Sequence, residues 1–258
     1  MRVATWNVNS LNARMPRFVA WLKEAEPDVV CIQETKLKQD AFPYLELELL
    51  GYESAHFGQG QWNGVAVISK VGLKDPIMGI EGGRPESEEA RAITVDCNGV
   101  GIMSIYVPNG RAVDSDHYRY KLRWLASLRR HLDEHFKPTD KLIVAGDFNI
   151  APEDKDVWSP EALLGSTHVS EPEREALREL KGWGLVDSFR HFYDQDGLYT
   201  WWDHRGGAFH KRQGLRIDYL LVTEPLETLL NWALVDRNAR KGERPSDHAP
   251  VIIDFSMP

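Results

Sequence analysis

The sequence has few cysteines, no excess of positive charge and no long apolar run. Only Cys31 and Cys97 occur among its 258 residues, too few for a disulfide framework or a four-thiolate metal site. No apolar stretch approaches the roughly 20 residues that a transmembrane helix needs. The formal net charge of −8 argues against non-specific coating of nucleic acid, which requires lysine and arginine in excess. Any surface that binds nucleic acid must therefore be local.

The amino-terminal residues also lack the features of a targeting segment. Residues Arg2 to Asn9 have the polarity of a short strand, and no apolar segment typical of a signal peptide follows them. We therefore expect a cytoplasmic protein with no membrane partner. One local basic stretch, residues 205–216 (RGGAFHKRQGLR), contains four cations and no acid. This stretch could contact nucleic acid or could be a solvated basic loop.

Short β-rich runs alternate along the chain with segments of helical periodicity. Arg2 to Trp6 and Val29 to Ile32 read as strands with an amphipathic helix between them. A longer amphipathic helix, marked by apolar residues from Tyr118 to Leu132, precedes the strand Leu142 to Ala145. Both halves mix strands and helices, and no low-complexity linker separates them. We predict a single α/β domain over residues 1–258, with two mixed β-sheets packed face to face and helices outside, a four-layered sandwich.

Polar residues stand where these strands begin or end. Those at strand ends are Asn7, Glu34, Tyr106, Asp147 and Asn149, and those at or just before strand starts are Asp218, Asp247 and His248. In a mixed sheet, the end of one strand neighbours the start of an antiparallel one. We therefore expect these side chains to meet on one rim of the fold.

Four of the polar residues are acids, Glu34, Asp147, Asp218 and Asp247. Carboxylates that converge repel by roughly 4 kcal/mol per pair at about 4 Å, so a cation is expected among them. Mg²⁺ suits carboxylate and water ligands, and Mn²⁺ accepts the same donors. Each acid taken alone could instead be a turn residue or a helix cap. The segments QET, GDFN and SDHAP occur together, which makes coincidence a poor explanation.

A histidine pair on the long helix has the spacing of a zinc site. His131 and His135 stand four residues apart, but the segment HLDEH lacks the adjacent glutamate of an HExxH motif. We interpret them as surface histidines.

Six segments occur in an order that is typical of one family. They are WNVNSL around Asn7, QETK from Gln33, YVPNG from Tyr106, GDFN from Gly146, LRIDYL from Leu215 and SDHAP from Ser246. Over essentially its whole length the chain resembles the exonuclease III family of abasic-site endonucleases, within the endonuclease/exonuclease/phosphatase superfamily. The resemblance implies a DNase I-like fold.

The resemblance also implies roles for the residues at the rim. Glu34 would be the main metal ligand, assisted by Asn7 and Asp247. The catalytic residues would divide the remaining work between water activation and phosphate binding. Asp147 would deprotonate the attacking water and Asn149 would position it, while His248, paired with Asp218, and Tyr106 would bind the phosphate.

Other residues would select the substrate. Trp201, Leu215 and Ile217 match the positions that line a pocket for an extruded, baseless sugar, although Trp201 alone could equally be a core aromatic. Asn109 would also bind the substrate, and contacts to the DNA backbone would come from Arg111, Lys121, Arg212 and Arg216.

The leading hypothesis is a DNA-repair phosphodiesterase that acts on double-stranded DNA as a monomer. It would cleave 5′ to abasic sites and leave a 3′-hydroxyl, with 3′-to-5′ exonuclease and 3′-phosphatase or phosphodiesterase activity at 3′ ends. A second hypothesis keeps the fold and metal chemistry but takes RNA, a phosphoinositide or a sphingolipid as substrate. A third is a non-catalytic binding module, which the presence of Asp147, Asn149 and His248 disfavours.

Overall fold

Two six-stranded mixed β-sheets form the centre of the fold in the computed structural model, which describes residues 1–80 and 89–256. The strands, in chain order, are β1 (Arg2–Asn7), β2 (Val29–Gln33), β3 (Glu53–Phe57), β4 (Val65–Ser69), β5 (Lys74–Met78), β6 (Ala92–Cys97), β7 (Val100–Tyr106), β8 (Leu142–Asp147), β9 (Leu185–Asp187), β10 (Trp201–Trp202), β11 (Gly214–Leu215), β12 (Asp218–Thr223), β13 (Leu230–Val235) and β14 (Val251–Phe255). The helices are α1 (Leu11–Ala25), α2 (Tyr44–Glu48), α3 (Asp116–His135), α4 (Glu171–Gly182) and α5 (Glu224–Glu227).

The two large sheets repeat one arrangement of strands. The first has the order β13-β14-β1-β2-β4-β3, and the second has the order β5-β6-β7-β8-β12-β9. In each, the third and fourth strands of that order run parallel and the other described pairs are antiparallel. Helix α1 connects the parallel pair of the first sheet, and α3 connects that of the second. A small antiparallel pair, β10 and β11, stands apart from both sheets.

Alternation along the strands divides the core into layers. In β2, Val29 and Cys31 belong to the apolar cluster between the two sheets, whereas Val30 and Ile32 belong to the cluster beneath α1. On the other side, Trp124 of α3 and Leu177 of α4 pack against the outer face of the second sheet. The predicted four-layered α/β sandwich is therefore confirmed. No helix among the described residues is long and apolar enough to cross a membrane.

Candidate active site

The strand registers place the predicted polar residues at one end of both sheets. In the second sheet, Asp147 at the end of β8 lies opposite Tyr106 of the parallel strand β7 and Asp218 of the antiparallel strand β12. In the first sheet, Asn7 at the end of β1 lies opposite Gln33, the residue before Glu34. Parallel and antiparallel neighbours thus bring ends and starts of strands together, as the sequence predicts.

The side chain of Asn7 joins the two sheets. Its Nδ2 donates to Glu34 Oε1 and to Asp147 Oδ2, each at 2.9 Å, and the residue is fully buried. Its Oδ1 accepts from the backbone N–H of Asn9 at 3.0 Å. In this orientation Asn7 holds the two carboxylates side by side and turns its own oxygen away from them.

Glu34 lies on a tight turn that the β3–β4 loop supports. Glu34 has φ +51°, and its Oε2 lies 2.9 Å from the ammonium of Lys36. The backbone N–H of Thr35 donates to Gly64 O at 3.1 Å. A Cβ at Gly64, where φ is +92°, would come within 2.1 Å of Thr35 Oγ1. Glycine is therefore required at 64 for the loop to approach the Glu34 turn.

A buried histidine sits between two aspartates on the other side of the cluster. His248 Nδ1 lies 2.9 Å from Asp218 Oδ2, and His248 Nε2 lies 3.7 Å from Asp147 Oδ2. Burial by itself would lower the pKa of His248, but the charges of Asp218 and Asp147 outweigh burial and raise the pKa to about 10. The imidazole is therefore protonated at neutral pH, with Nδ1 donating to Asp218 and the Nε2–H bond left to face the cluster.

Asp147 is held by its neighbours and has an unusual acidity. Its Oδ1 accepts from the backbone N–H of Asn149 at 2.9 Å, and its Oδ2 accepts from Asn7. Burial raises the pKa of Asp147, the charge of His248 offsets part of that rise, and Asp218 adds to it. A carboxyl group whose pKa is raised toward neutrality is suited to accept a proton at neutral pH.

The cluster contains donors that suit a hard divalent cation. Glu34, Asp147 and His248 each offer one ligand atom within 4.8 Å of the others. Mg²⁺ prefers oxygen donors, so the carboxylates of Glu34 and Asp147 fit such a cation better than the imidazole of His248, whose Nδ1 faces Asp218. Two carboxylates with space for water match the way Mg²⁺ or Mn²⁺ is bound in proteins.

Asp247 differs from the other three acids in its surroundings. Its Oδ1 accepts from Asn9 Nδ2 at 2.9 Å, and its Oδ2 accepts from the indole N–H of Trp201 at 3.0 Å. Burial raises the pKa of Asp247, but His248 and these two hydrogen bonds outweigh burial and lower it. Asp247 thus remains ionised and fixes Trp201. It lies outside the group formed by Glu34, Asp147 and His248.

A cavity of about 210 Å³ opens over the cluster. Trp201 and Ile217 form part of its wall, together with the side chain of His168. Leu215 lies behind that wall, where it packs with Ile217 and Val157. Of the three residues predicted to line a sugar pocket, two face the cavity and one supports them.

Comparison with known proteins agrees with this geometry. The sequence model of the Endonuclease/Exonuclease/phosphatase family matches residues 4–248. An exodeoxyribonuclease from Bacillus subtilis (strain 168) is 34% identical over 260 residues, which cover all of both chains. The chain belongs to the exonuclease III family.

Among solved structures, the 3′ phosphatase NExo from Neisseria, bound to a product DNA hairpin, is 39% identical with a TM-score of 0.95. An AP endonuclease from Archaeoglobus fulgidus is 34% identical with a TM-score of 0.94, and both comparisons cover all of each chain.

Two cations predicted to contact DNA are instead buried in this exonuclease III family member. Arg216 is 1% exposed and pairs with Asp156 and Asp187 at 2.6 and 2.7 Å. Lys121 is fully buried and pairs with Glu173. The predictions of backbone contacts for Arg216 and Lys121 are therefore wrong, because neither cation reaches the surface. Arg212 is exposed.

The buried Lys121 has a structural task beneath the site. Its Nζ donates to the backbone oxygen of Asn149 at 2.6 Å and to that of Asn109 at 3.3 Å. The side chains of these two residues meet, since Asn109 Nδ2 donates to Asn149 Oδ1 at 3.1 Å. The Lys121–Glu173 ion pair thus supports the two loops that carry the predicted site residues Asn109 and Asn149.

Sequence reasoning missed His168. Its Nδ1 is 2.6 Å from the backbone oxygen of Asn149, and its ring lines the cavity beside Trp201 and Ile217. Burial, followed by the charge of Lys121, lowers the pKa of His168 to about 4, so the ring is neutral. His168 has φ +76° and lies in the loop before α4. A loop has no helical or strand periodicity, so the sequence pattern does not mark this residue.

Proposed function

We propose that this protein is a Mg²⁺-dependent DNA hydrolase that removes 3′-phosphates and other 3′-terminal groups, and that also cleaves 5′ to abasic sites. The observation that carries the proposal is the pair of carboxylates joined by Asn7, the half-buried Glu34 and the buried Asp147, beside the Asp218–His248 pair at the floor of an open cavity. The relatives named above are an exodeoxyribonuclease, a 3′ phosphatase and an AP endonuclease. All three names fit one reaction, hydrolysis of a phosphoester of DNA.

The protein groups around the cluster divide the reaction between them. Asp147, with its raised pKa, accepts a proton from the attacking water. His248 donates its Nε2–H to an oxygen of the phosphate, and Asp218 keeps the imidazole oriented and charged. Asn149 and Tyr106, at the same cavity, hold the water and the phosphate. Mg²⁺ bound to Glu34 would neutralise charge on the phosphate.

Metal dependence gives the first test of this function. Purified protein is incubated with a nicked duplex bearing a 3′-phosphate and with a duplex containing one tetrahydrofuran abasic analogue, with Mg²⁺ or with a chelator. We expect hydrolysis with Mg²⁺ and none with the chelator. An RNA strand and a soluble phosphoinositide serve as competing substrates. Folded protein that hydrolyses neither DNA substrate, or that prefers RNA or the phosphoinositide, would contradict the proposal.

His168 favours 3′ ends over abasic sites as the main substrate. Its ring lines the same cavity as Asn149, Trp201 and Ile217, and we infer that it narrows the space available to an extruded sugar. A 3′-phosphate at a DNA end needs no such space. We therefore propose that release of 3′-terminal groups exceeds incision at abasic sites.

Shortening this side chain should change that preference. In His168→Ser, we expect the ratio of abasic-site incision to 3′-phosphate release to rise roughly 10- to 100-fold, the range for a change in pocket size. Steady-state kcat/KM on both substrates measures the ratio. His168→Asn is the matched control, because asparagine tolerates positive φ and retains a donor near the Asn149 carbonyl, and an intermediate ratio is expected. An unchanged ratio in both variants would remove His168 from substrate selection.

A further inference from the structure

The turn that carries Glu34, residues 34–36, departs twice from ordinary backbone. Glu34 has φ +51° and Lys36 has φ +53°, and neither is a glycine. Left-handed backbone is strained in residues that carry a Cβ, and it persists only where the surrounding structure holds it. The position of the Glu34 carboxylate therefore depends on the contacts that hold this turn.

The residue at the centre of the Glu34 turn is anchored in the interior. The backbone of the turn is held from two sides, since Ser10 N donates to Glu34 O at 2.7 Å and Thr35 N donates to Gly64 O. The side chain of Thr35 is fully buried, whereas those of Glu34 and Lys36 are partly exposed. Thr35 is thus the side chain through which the protein interior can hold the turn.

A buried histidine of β3 contacts this threonine. His56 Nε2 lies 2.9 Å from Thr35 Oγ1, and the histidine is 1% exposed. Its ring stacks on Phe42, with ring centres 4.4 Å apart and 19° between the planes. The side chain of Gln39 donates to the backbone oxygen of His56 at 2.6 Å. A Cβ at Gly58 would overlap the ring, so the chain has a glycine where the imidazole needs space. The position of the ring is therefore fixed on several sides.

Packing alone does not explain a histidine at this position. His56 Nδ1 has no hydrogen-bond partner within residues 1–80 and 89–256. Burial lowers the pKa of His56 to about 4, so the ring is neutral at neutral pH. A buried polar atom without a partner is costly, and an apolar side chain could stack on Phe42 without that cost. What the imidazole adds is the hydrogen bond to Thr35.

We propose that His56 is a positioning residue for the metal site, which acts through Thr35 to hold the Glu34 turn and thereby places the Glu34 carboxylate for Mg²⁺. His56 does not itself line the active-site cavity. Partners that orient a metal ligand commonly contribute to metal affinity although they never touch the ion. The proposal rests on the function proposed above, because it takes Glu34 as a ligand of Mg²⁺.

Two variants remove the same hydrogen bond from its two ends. Thr35→Val removes the hydroxyl and keeps the histidine stack, and His56→Leu removes the nitrogen and keeps apolar bulk. Mn²⁺, which accepts the same donors as Mg²⁺, is titrated into protein without DNA, and free Mn²⁺ is measured by electron paramagnetic resonance. We expect each variant to weaken Mn²⁺ binding roughly 10-fold.

Hydrogen exchange on the same variants reports the turn itself. The backbone N–H of Thr35 and that of Lys36 should exchange roughly 3- to 10-fold faster in both variants, while the N–H groups of β8 exchange at the wild-type rate. A histidine that served only the general stability of the fold would speed exchange throughout the core and leave the affinity of folded protein for Mn²⁺ unchanged.

The double variant shows whether His56 acts through Thr35. Because both single changes break one bond, Thr35→Val with His56→Leu should weaken Mn²⁺ binding by the same factor as either change alone. His56→Gln, whose amide nitrogen can take the place of Nε2, should restore most of the affinity. Effects that multiply in the double variant would show that the two residues act independently, which overturns the proposal.

Thr94→Val is the matched control for loss of a buried hydroxyl. Thr94 is 6% exposed on β6, and its Oγ1 has no partner in the part of the chain that the structure describes, so both readouts should stay at wild-type values. If wild-type protein binds Mn²⁺ and hydrolyses the 3′-phosphate, but Thr35→Val and His56→Leu bind Mn²⁺ equally well, the role of His56 is overturned and the proposed function stands. If wild-type protein binds no Mn²⁺, the metal dependence of the proposed function falls, and the role of His56 falls with it.

Discussion

Asp147→Asn is expected to reduce the rate of hydrolysis by a factor on the order of 10²–10⁴, the range attributed to a positioned general base. The amide is nearly the same size as the carboxylate, so the packing of this buried site is retained. It cannot accept a proton from water near neutral pH. In the wild-type protein, Asn7 Nδ2 and the Asn149 N–H each donate to one carboxylate oxygen of Asp147. An amide has only one oxygen, and its NH₂ group would face the other donor, so one of these two hydrogen bonds is lost. Single-turnover hydrolysis of a 3′-phosphate duplex with Mg²⁺ measures the effect.

The control for this variant makes the same chemical change elsewhere. Asp254 lies on β14 near Arg2, at the end of the first sheet away from Asn7, and Asp254→Asn should have the wild-type rate. DNA affinity in metal-free buffer should be retained in Asp147→Asn, because the change removes a charge without adding bulk. A near-normal rate in Asp147→Asn would assign water activation to another group.

The central strands and the catalytic rim were predictable because local and global signals agree there. Strands such as β8 are continuous apolar runs buried on both faces, and the polar residues that follow them must emerge at the sheet end. The edge strand β5 was not predicted. All five of its residues are exposed, and it contains a proline, so neither alternation nor an apolar run marks it.

The burial of cations could not be read from the sequence. Arg216 follows a basic loop, and in the sequence it resembles its exposed neighbours. Its partners, Asp156 and Asp187, come from segments about 60 and 30 residues away along the chain, so only the tertiary fold shows that they meet. His168 could not be predicted for a related reason. It lines a cavity together with Trp201 and Ile217, which are distant from it along the chain.

Arg216→Met is expected to lower the free energy of unfolding by roughly 3–5 kcal/mol, the cost of removing one partner from a buried charge pair. Burial lowers the pKa of Arg216, but the negative charges of Asp187 and Asp156 outweigh burial and raise it. Without the guanidinium, which also lies 4.7 Å from the centre of the Tyr219 ring, two buried carboxylates lose their cation. Arg190 still pairs with Asp156, so most of the cost is expected at Asp187. Urea unfolding monitored by circular dichroism measures the loss.

The same substitution separates a structural role for Arg216 from a role in DNA binding. Arg119→Met is the surface control, because Arg119 pairs with Asp116 at an exposed position where ion pairs contribute at most about 1 kcal/mol. Below its unfolding transition, Arg216→Met should bind a 3′-phosphate duplex with the wild-type dependence on salt concentration. A contact to a DNA phosphate would instead reduce that dependence by about one counterion and leave stability unchanged. An Arg216→Met variant as stable as Arg119→Met, with weakened DNA binding, would show that the guanidinium faces the substrate in solution.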